Sequence, residues 1–183
     1  MTSDMNQQII IGLDLSLRGS AACRIPITWK QQISVPWVMT IGEKLTADAN
    51  EEARVSRLSN ISNDLIEFCW KHFQGISHKH RHIFLEDYAF AATGAHVRSI
   101  AELTGVVKWR LYEEFSIVVQ VVAASRARKV LLQHLPRKDV KAYVTNNVRR
   151  LGVTWNDDEI DAFVIANYGV MMVGGCAMTF DGR

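Results

Sequence analysis

Asn156-Asp157-Asp158-Glu159-Ile160-Asp161-Ala162-Phe163-Val164-Ile165-Ala166 opens on a knot of acid and then runs apolar. Asn156 is a favoured N-cap and Glu159 stands three residues on, the capping-box spacing, so the segment predicts a helix over 157–172. Its acids fall in the first turn, where the macrodipole favours negative charge by roughly 0.3–1 kcal/mol each at exposed sites. Asp158 and Asp161 are i and i+3 and share a face, while Ile160, Phe163 and Val164 turn toward a core. Asp157 and Asp161 are i and i+4 and could equally share one. Four carboxylates within five residues repel each other unless a cation joins them. Ordinary capping chemistry accounts for where they sit; a metal ion would account for their number.

Two further acids sit where strands would hold them. Ile9-Ile10-Ile11-Gly12-Leu13-Asp14-Leu15 reads as a buried strand carrying one aspartate, and a carboxylate in a central strand is costly unless something binds it. His82-Ile83-Phe84-Leu85-Glu86-Asp87 repeats the arrangement, a strand that ends in acid. Each alone could be a strand terminus turning into solvent. The three segments together suit a hard divalent cation with oxygen ligands, Mg²⁺ or Mn²⁺, better than zinc.

At 183 residues and 48% hydrophobic content the chain fits one globular domain, 1–183, with 1–7 and 174–183 expected as loose termini. No stretch approaches 18 apolar residues, and Met1-Thr2-Ser3-Asp4 lacks the basic-then-apolar build of a signal peptide. The expectation is a soluble intracellular protein without membrane contact. Cys23, Cys69 and Cys176 are odd in number and in apolar company, which reads as reduced thiols with no zinc motif. His78-Lys79-His80-Arg81-His82 reads as an exposed loop, and Gly12 and Gly19 have the wrong spacing for a phosphate-binding loop.

Net charge is only +2, but it is unevenly spread. Arg126, Arg128, Lys129, Arg137, Lys138, Lys141, Arg149 and Arg150 face one acid, Asp139, so this segment carries +7 and leaves −5 on the rest. A basic block beside a carboxylate cluster is what phosphodiester chemistry needs: cations hold the polyanion and metals activate water and steady the leaving oxygen. A solvated helix face is the plainer account of the block alone.

Hydrophobic spacing predicts strands at 8–15, 20–27 and 33–41 and a helix at 51–73 on Val55, Leu58, Ile61, Leu65, Cys69 and Phe73. The Glu86 strand comes next, then a helix at 96–114 on Ile100, Leu103, Val107 and Leu111, a strand at 117–122, and helices at 137–150 and 157–172. Three strands in a meander followed by alternating helix and strand make an α/β sheet with helices on its faces.

Asp14, Glu86, Asp158 and Asp161, in that order on βββαβαβα, resemble the ribonuclease H-like nucleases and, within them, the RuvC family of Holliday junction resolvases. Ile100-Ala101-Glu102-Leu103-Thr104-Gly105-Val106-Val107 is similar to that family's helix with a Gly-Val after the glutamate, and Asp158-Glu159-Ile160-Asp161-Ala162 resembles its Asp-x-x-Asp-Ala end. The likeness spans roughly residues 8–170. It departs after the first aspartate, where the family's Pro-Gly-Ser type turn is replaced by Leu15-Ser16-Leu17-Arg18-Gly19-Ser20, which suits a divergent, phage-encoded or organellar relative.

The resemblance implies a ribonuclease H-like mixed five-stranded sheet flanked by helices, and a homodimeric endodeoxyribonuclease making paired nicks in four-way DNA junctions, with two Mg²⁺ per active site and Mn²⁺ as a substitute. Other branched DNA would be a wider substrate range. On this basis Asp14 would bridge the metals, Glu86 and Asp161 would each complete one coordination sphere, and Asp158, favoured over Asp157 by the family spacing, would ligate a metal or position water. Lys138 or Lys141 would meet the scissile phosphate, and Arg126, Arg128, Lys129 and Arg137 would hold the backbone. Tyr88 and Phe90 would stack on unpaired bases unless they are core aromatics, and the helix around 96–112 would form the dimer core. Two other classes remain: a catalytically inactive junction-binding module, and an actin-like or sugar-kinase-type nucleotide-binding domain, suggested by Ile11-Gly12-Leu13-Asp14-Leu15-Ser16 but needing a second lobe that 183 residues do not allow.

Overall fold

The computed structural model describes residues 7–16, 19–28, 36–41, 50–87, 95–131, 140–150 and 154–176. Five strands, β1 (Gln8–Asp14), β2 (Ser20–Ile27), β3 (Trp37–Ile41), β4 (Arg81–Glu86) and β5 (Gln120–Val122), form one mixed sheet in the order β3-β2-β1-β4-β5. Strands β1 to β3 make an antiparallel meander; β4 and β5 join in parallel on the other side of β1. The helices are α1 (Glu51–Phe73), α2 (Ala95–Phe115), α3 (Ala124–Leu131), α4 (Val140–Arg150) and α5 (Asp157–Met172).

Alternation along β1 divides the core. Ile9, Ile11 and Leu13 join α1 and α2 on one face, while Ile10 joins α5, Ala127 of α3 and Val144 of α4 on the other. A central strand buried on both sides carries a near-continuous apolar run, which is why 9–13 reads as one. Helix α5 is buried around nearly its whole circumference from Ile160 to Val170, so its apolar sequence shows no polar face after the first turn.

Helices α1 and α5 span the residues their spacing predicts. Three expectations need correction. The strand predicted at 117–122 is only β5: the chain leaves α2 through Ser116 at φ 53°, and Ile117 and Val119 turn into the core while Val118 is exposed. That linker mimics strand alternation without pairing, since β4 meets β5 only from Phe84 to Glu86. The strand predicted at 33–41 begins, within the described residues, at Trp37, because Pro36 offers no amide to the ladder; positions 33–35 lie outside the description. The histidine-dense loop is a single 3-10 turn at His78–His80, and His82 already belongs to β4, half-buried with Nε2 at 3.1 Å from Gln8 Oε1. Helix α3 has no counterpart among the predicted elements.

At the sheet edge Trp37 stacks on Phe68 with ring centroids 5.3 Å apart and meets the His72 ring at 4.7 Å, tilted by 59°, with Lys71 Nζ 4.8 Å from the Trp37 ring centroid. Burial, then the nearby Arg24 and Lys71 charges, push the His72 imidazole down to about 4.

Candidate metal centre

Register brings the first two acids together. Leu13 pairs with Leu85 in the parallel β1–β4 ladder and both enter the α1/α2 core, so Asp14 and Glu86, one residue on, face α5. They end adjacent parallel strands at their carboxyl ends, the usual place for a site in such sheets. Across the meander Asp14 pairs with Ala21, and Ala21 with Thr40, so one row leads from the acids to the outer strand.

The third acid arrives on α5, which can come close because a glycine stands on each side of the contact, Gly12 on β1 and Gly169 on α5. A Cβ added at Gly12 would stand 2.3 Å from the Ala166 amide nitrogen and 2.4 Å from the Ala162 carbonyl oxygen. One at Gly169 would meet the Phe84 ring at 2.4 Å. The helix start is fixed twice. Asn156 Oδ1 accepts from the Glu159 amide at 2.9 Å and Glu159 Oε2 accepts from the Asn156 amide at 2.8 Å, the reciprocal box the sequence predicts. Thr40 then donates to Glu159 Oε1 at 2.9 Å and accepts from Asn156 Nδ2 at 3.0 Å, tying β3 to the acidic turn.

Asp14, Glu86 and Asp161, each half-buried, gather so that one carboxylate oxygen from each lies within 4.8 Å of the other two. Among the described residues this is the one such group of potential metal ligands. Three clustered carboxylates with no thiol or imidazole suit a hard divalent cation, and the all-oxygen donor set fits Mg²⁺ or Mn²⁺. The neighbouring cation is Arg128 of α3, whose Nη2 donates to Asp161 Oδ1 at 2.5 Å.

Asp158 is half-buried and Asp157 exposed. The Asp158 carboxylate rests on the β1–β2 turn: a Cβ at Gly19 would stand 2.6 Å from its Oδ2. That turn is built by two hydroxyls. Ser16 Oγ accepts from the Gly19 amide at 3.0 Å, and the fully buried Ser20 Oγ accepts from the Ser16 amide and donates to its carbonyl. Asp158 lies outside the three-acid cluster, at its rim.

Of the basic residues, Arg126 and Lys129 are exposed on α3, while Arg128 is turned onto Asp161. Lys141 lies on α4, its side chain outside what is described. Arg137, Lys138, Tyr88 and Phe90 lie outside the described residues. Sequence reasoning passed over Gly12, Gly169, Thr40 and the Arg128–Asp161 pair. Only Gly12 left a local signal, since an isolated glycine inside a strand marks a close backbone approach.

No family model matches this sequence, and no curated protein matches it. Solved structures do. Over 91% of this chain and 94% of the other, the backbone superposes on Thermus thermophilus RuvC in complex with a Holliday junction substrate, with a TM-score of 0.68 at 13% identity. The fold is that of RuvC. A second T. thermophilus RuvC structure, matched over 93% of this chain and all of its own length, gives a TM-score of 0.63 at 14% identity. The RuvC-like, ribonuclease H-like sheet with helices on both faces is therefore present, and the acidic cluster stands at the carboxyl ends of its β1 and β4.

Proposed function

We propose that this chain is a divalent-metal-dependent endodeoxyribonuclease that resolves four-way DNA junctions by paired nicks, working as a homodimer. The observation that carries this reading is the convergence of Asp14, Glu86 and Asp161 on one spot of a RuvC-like fold. The exposed Arg126 and Lys129 support it, because they stand on α3, whose Arg128 pairs with Asp161, and so offer cations for a phosphate backbone beside the acids.

In this reading Asp14, Glu86 and Asp161 hold the ions, and Asp158 at the rim orients water or completes a coordination sphere. The chemistry that two Mg²⁺, or Mn²⁺ in their place, would supply when held by these acids is activation of water near neutral pH and stabilisation of charge on the leaving oxygen. Lys138 or Lys141 steadies the phosphate as charge develops, and the exposed Arg126 and Lys129 take up neighbouring phosphates. The dimer falls on α2, whose Gly105, Trp109 and Tyr112 follow one exposed stripe; Trp109 and Tyr112 are 60% and 59% exposed. Two such large aromatics in line with a bare glycine suit a self-complementary face, and a two-fold axis there matches the approximate two-fold symmetry of a junction.

The test is cleavage of an end-labelled four-way junction with Mg²⁺ and with EDTA. Paired nicks that need Mg²⁺ and disappear in Asp14→Asn, Glu86→Gln and Asp161→Asn, with junction binding kept, are expected. Binding without any cleavage would make the chain an inactive junction-binding module; cleavage that survives EDTA or the triad substitutions would remove these acids from the chemistry.

A further inference from the structure

The three cations of α3 are not equivalent. Arg126 and Lys129 are exposed, but Arg128 folds back onto Asp161, with 28% and 14% of the two side chains exposed. Asp161 is also one of the three acids whose oxygens cluster, so the guanidinium occupies one side of a carboxylate that a metal would need. Its perch is firm, because Ala127 is fully buried between α3 and the α5 core. A guanidinium holds its charge at any ordinary pH, so it can leave Asp161 only by moving.

We propose that Arg128 is a resident counter-cation of the acidic cluster: it competes with divalent metal for Asp161, and when displaced it becomes a phosphate ligand beside Arg126 and Lys129. The proposal rests on the metal-dependent nuclease reading and adds a coupling to it. Without metal, Arg128 offsets part of the mutual repulsion of Asp14, Glu86 and Asp161. Metal arrival frees a planar fork suited to bidentate phosphate contact at the moment the site can act. By linkage, DNA that draws Arg128 away tightens metal binding, and metal tightens DNA binding beyond the effect of its own charge. A purely positioning Arg128, which held Asp161 in place for the metal, predicts the opposite sign.

The decisive measurement is Mn²⁺ titration, without DNA, of the wild type and Arg128→Gln, followed by the electron-spin signal of free Mn²⁺. Competition predicts that the Gln variant binds Mn²⁺ about three- to tenfold more tightly, the range for a partly exposed charged pair. Equal or weaker binding overturns the proposal while leaving the metal site standing. No Mn²⁺ binding by either protein, or binding unaffected by Asp14→Asn, overturns the metal site and this inference together. If Arg128→Gln does not fold, Arg128→Lys, which keeps charge but loses the fork, should still bind Mn²⁺ more tightly than wild type by a smaller factor, and unchanged or weaker binding refutes the idea. Melting adds an independent check: Arg128→Gln should melt lower than wild type without metal and gain more from saturating Mg²⁺, and an equal gain counts against competition. On a junction, Ca²⁺ should strengthen binding by the wild type more than by the Gln variant; equal strengthening overturns the phosphate role.

Discussion

Gly12→Ala tests whether the backbone contact between β1 and α5 sets the position of Asp161. The added Cβ would stand 2.3 Å from the Ala166 nitrogen and 2.4 Å from the Ala162 oxygen, against 3.4 Å for ordinary contact. Both atoms are helix backbone and cannot rotate away, so α5 must retreat by about 1 Å in a close-packed interior. Overpacking of this kind costs about 1–3 kcal/mol, which for a chain of this size lowers Tm by roughly 2–12 °C at about 2–4 °C per kcal/mol. The effect on the site should exceed the effect on stability. Asp161 adjoins Ala162, so the same retreat falls on one of the three clustered acids, and a metal held there would tolerate only about 0.2 Å in its ligand distances. We expect Mn²⁺ affinity to drop at least about tenfold, and turnover, if the chain cleaves junctions, by about 100-fold. Parallel melting and Mn²⁺ titration check this. A variant that melts within about 1 °C of wild type, half the smallest shift expected, and binds Mn²⁺ equally well would show that α5 is not seated by this contact.

Other outcomes follow from other contacts. Asn156→Ala removes the α5 cap and its link to Thr40, and should cost about 1 kcal/mol in urea unfolding; no change in midpoint would mean the capping box contributes nothing. Gly105→Ala on the exposed face of α2 meets open space and should stabilise the protomer by about 0.5–1 kcal/mol, yet weaken self-association in sedimentation; a lower melting point would show that the position is packed. His72 takes its proton near 6.5 when unfolded but resists until about 4 when folded, so its contribution is complete above pH 6.5 and is lost as pH falls toward 4. His72→Gln should therefore flatten the fall of Tm across that window, and an unchanged slope would contradict the assignment. His82, also lowered by burial, acts in the same direction and adds to the slope that remains.

The parts legible in the sequence are those whose cause is local. Helix α1 shows its periodicity and α5 its capping box, and Asp14 and Glu86 are conspicuous because a carboxylate in an apolar strand needs a reason. Helix α3 is hidden by its shortness and its arginines, which read as surface charge, and the 117–119 linker reads as strand because buried and exposed residues alternate there without any ladder. The role of Gly12 depends on which helix crosses it. Likewise Thr40 and Glu159, or Arg128 and Asp161, are partners only in space, so no spacing rule links them. Such long-range pairs decide which groups stand around each carboxylate.

The three clustered acids come from the first strand, the fourth strand and the last helix. The β1–β2 hairpin can close locally, but the parallel β1–β4 ladder must wait for α1 to cross over, and Asp161 must wait for α5 to dock. Such non-local contacts carry the loop-closure entropy of the whole chain and form late. During synthesis, with the N-terminal part emerging first, the ribosome therefore releases the sheet well before it releases the last of the three acids. A chain still being made holds no gathered cluster, and any product truncated before α5 lacks one altogether, so the order of synthesis keeps the three acids apart until α5 has emerged.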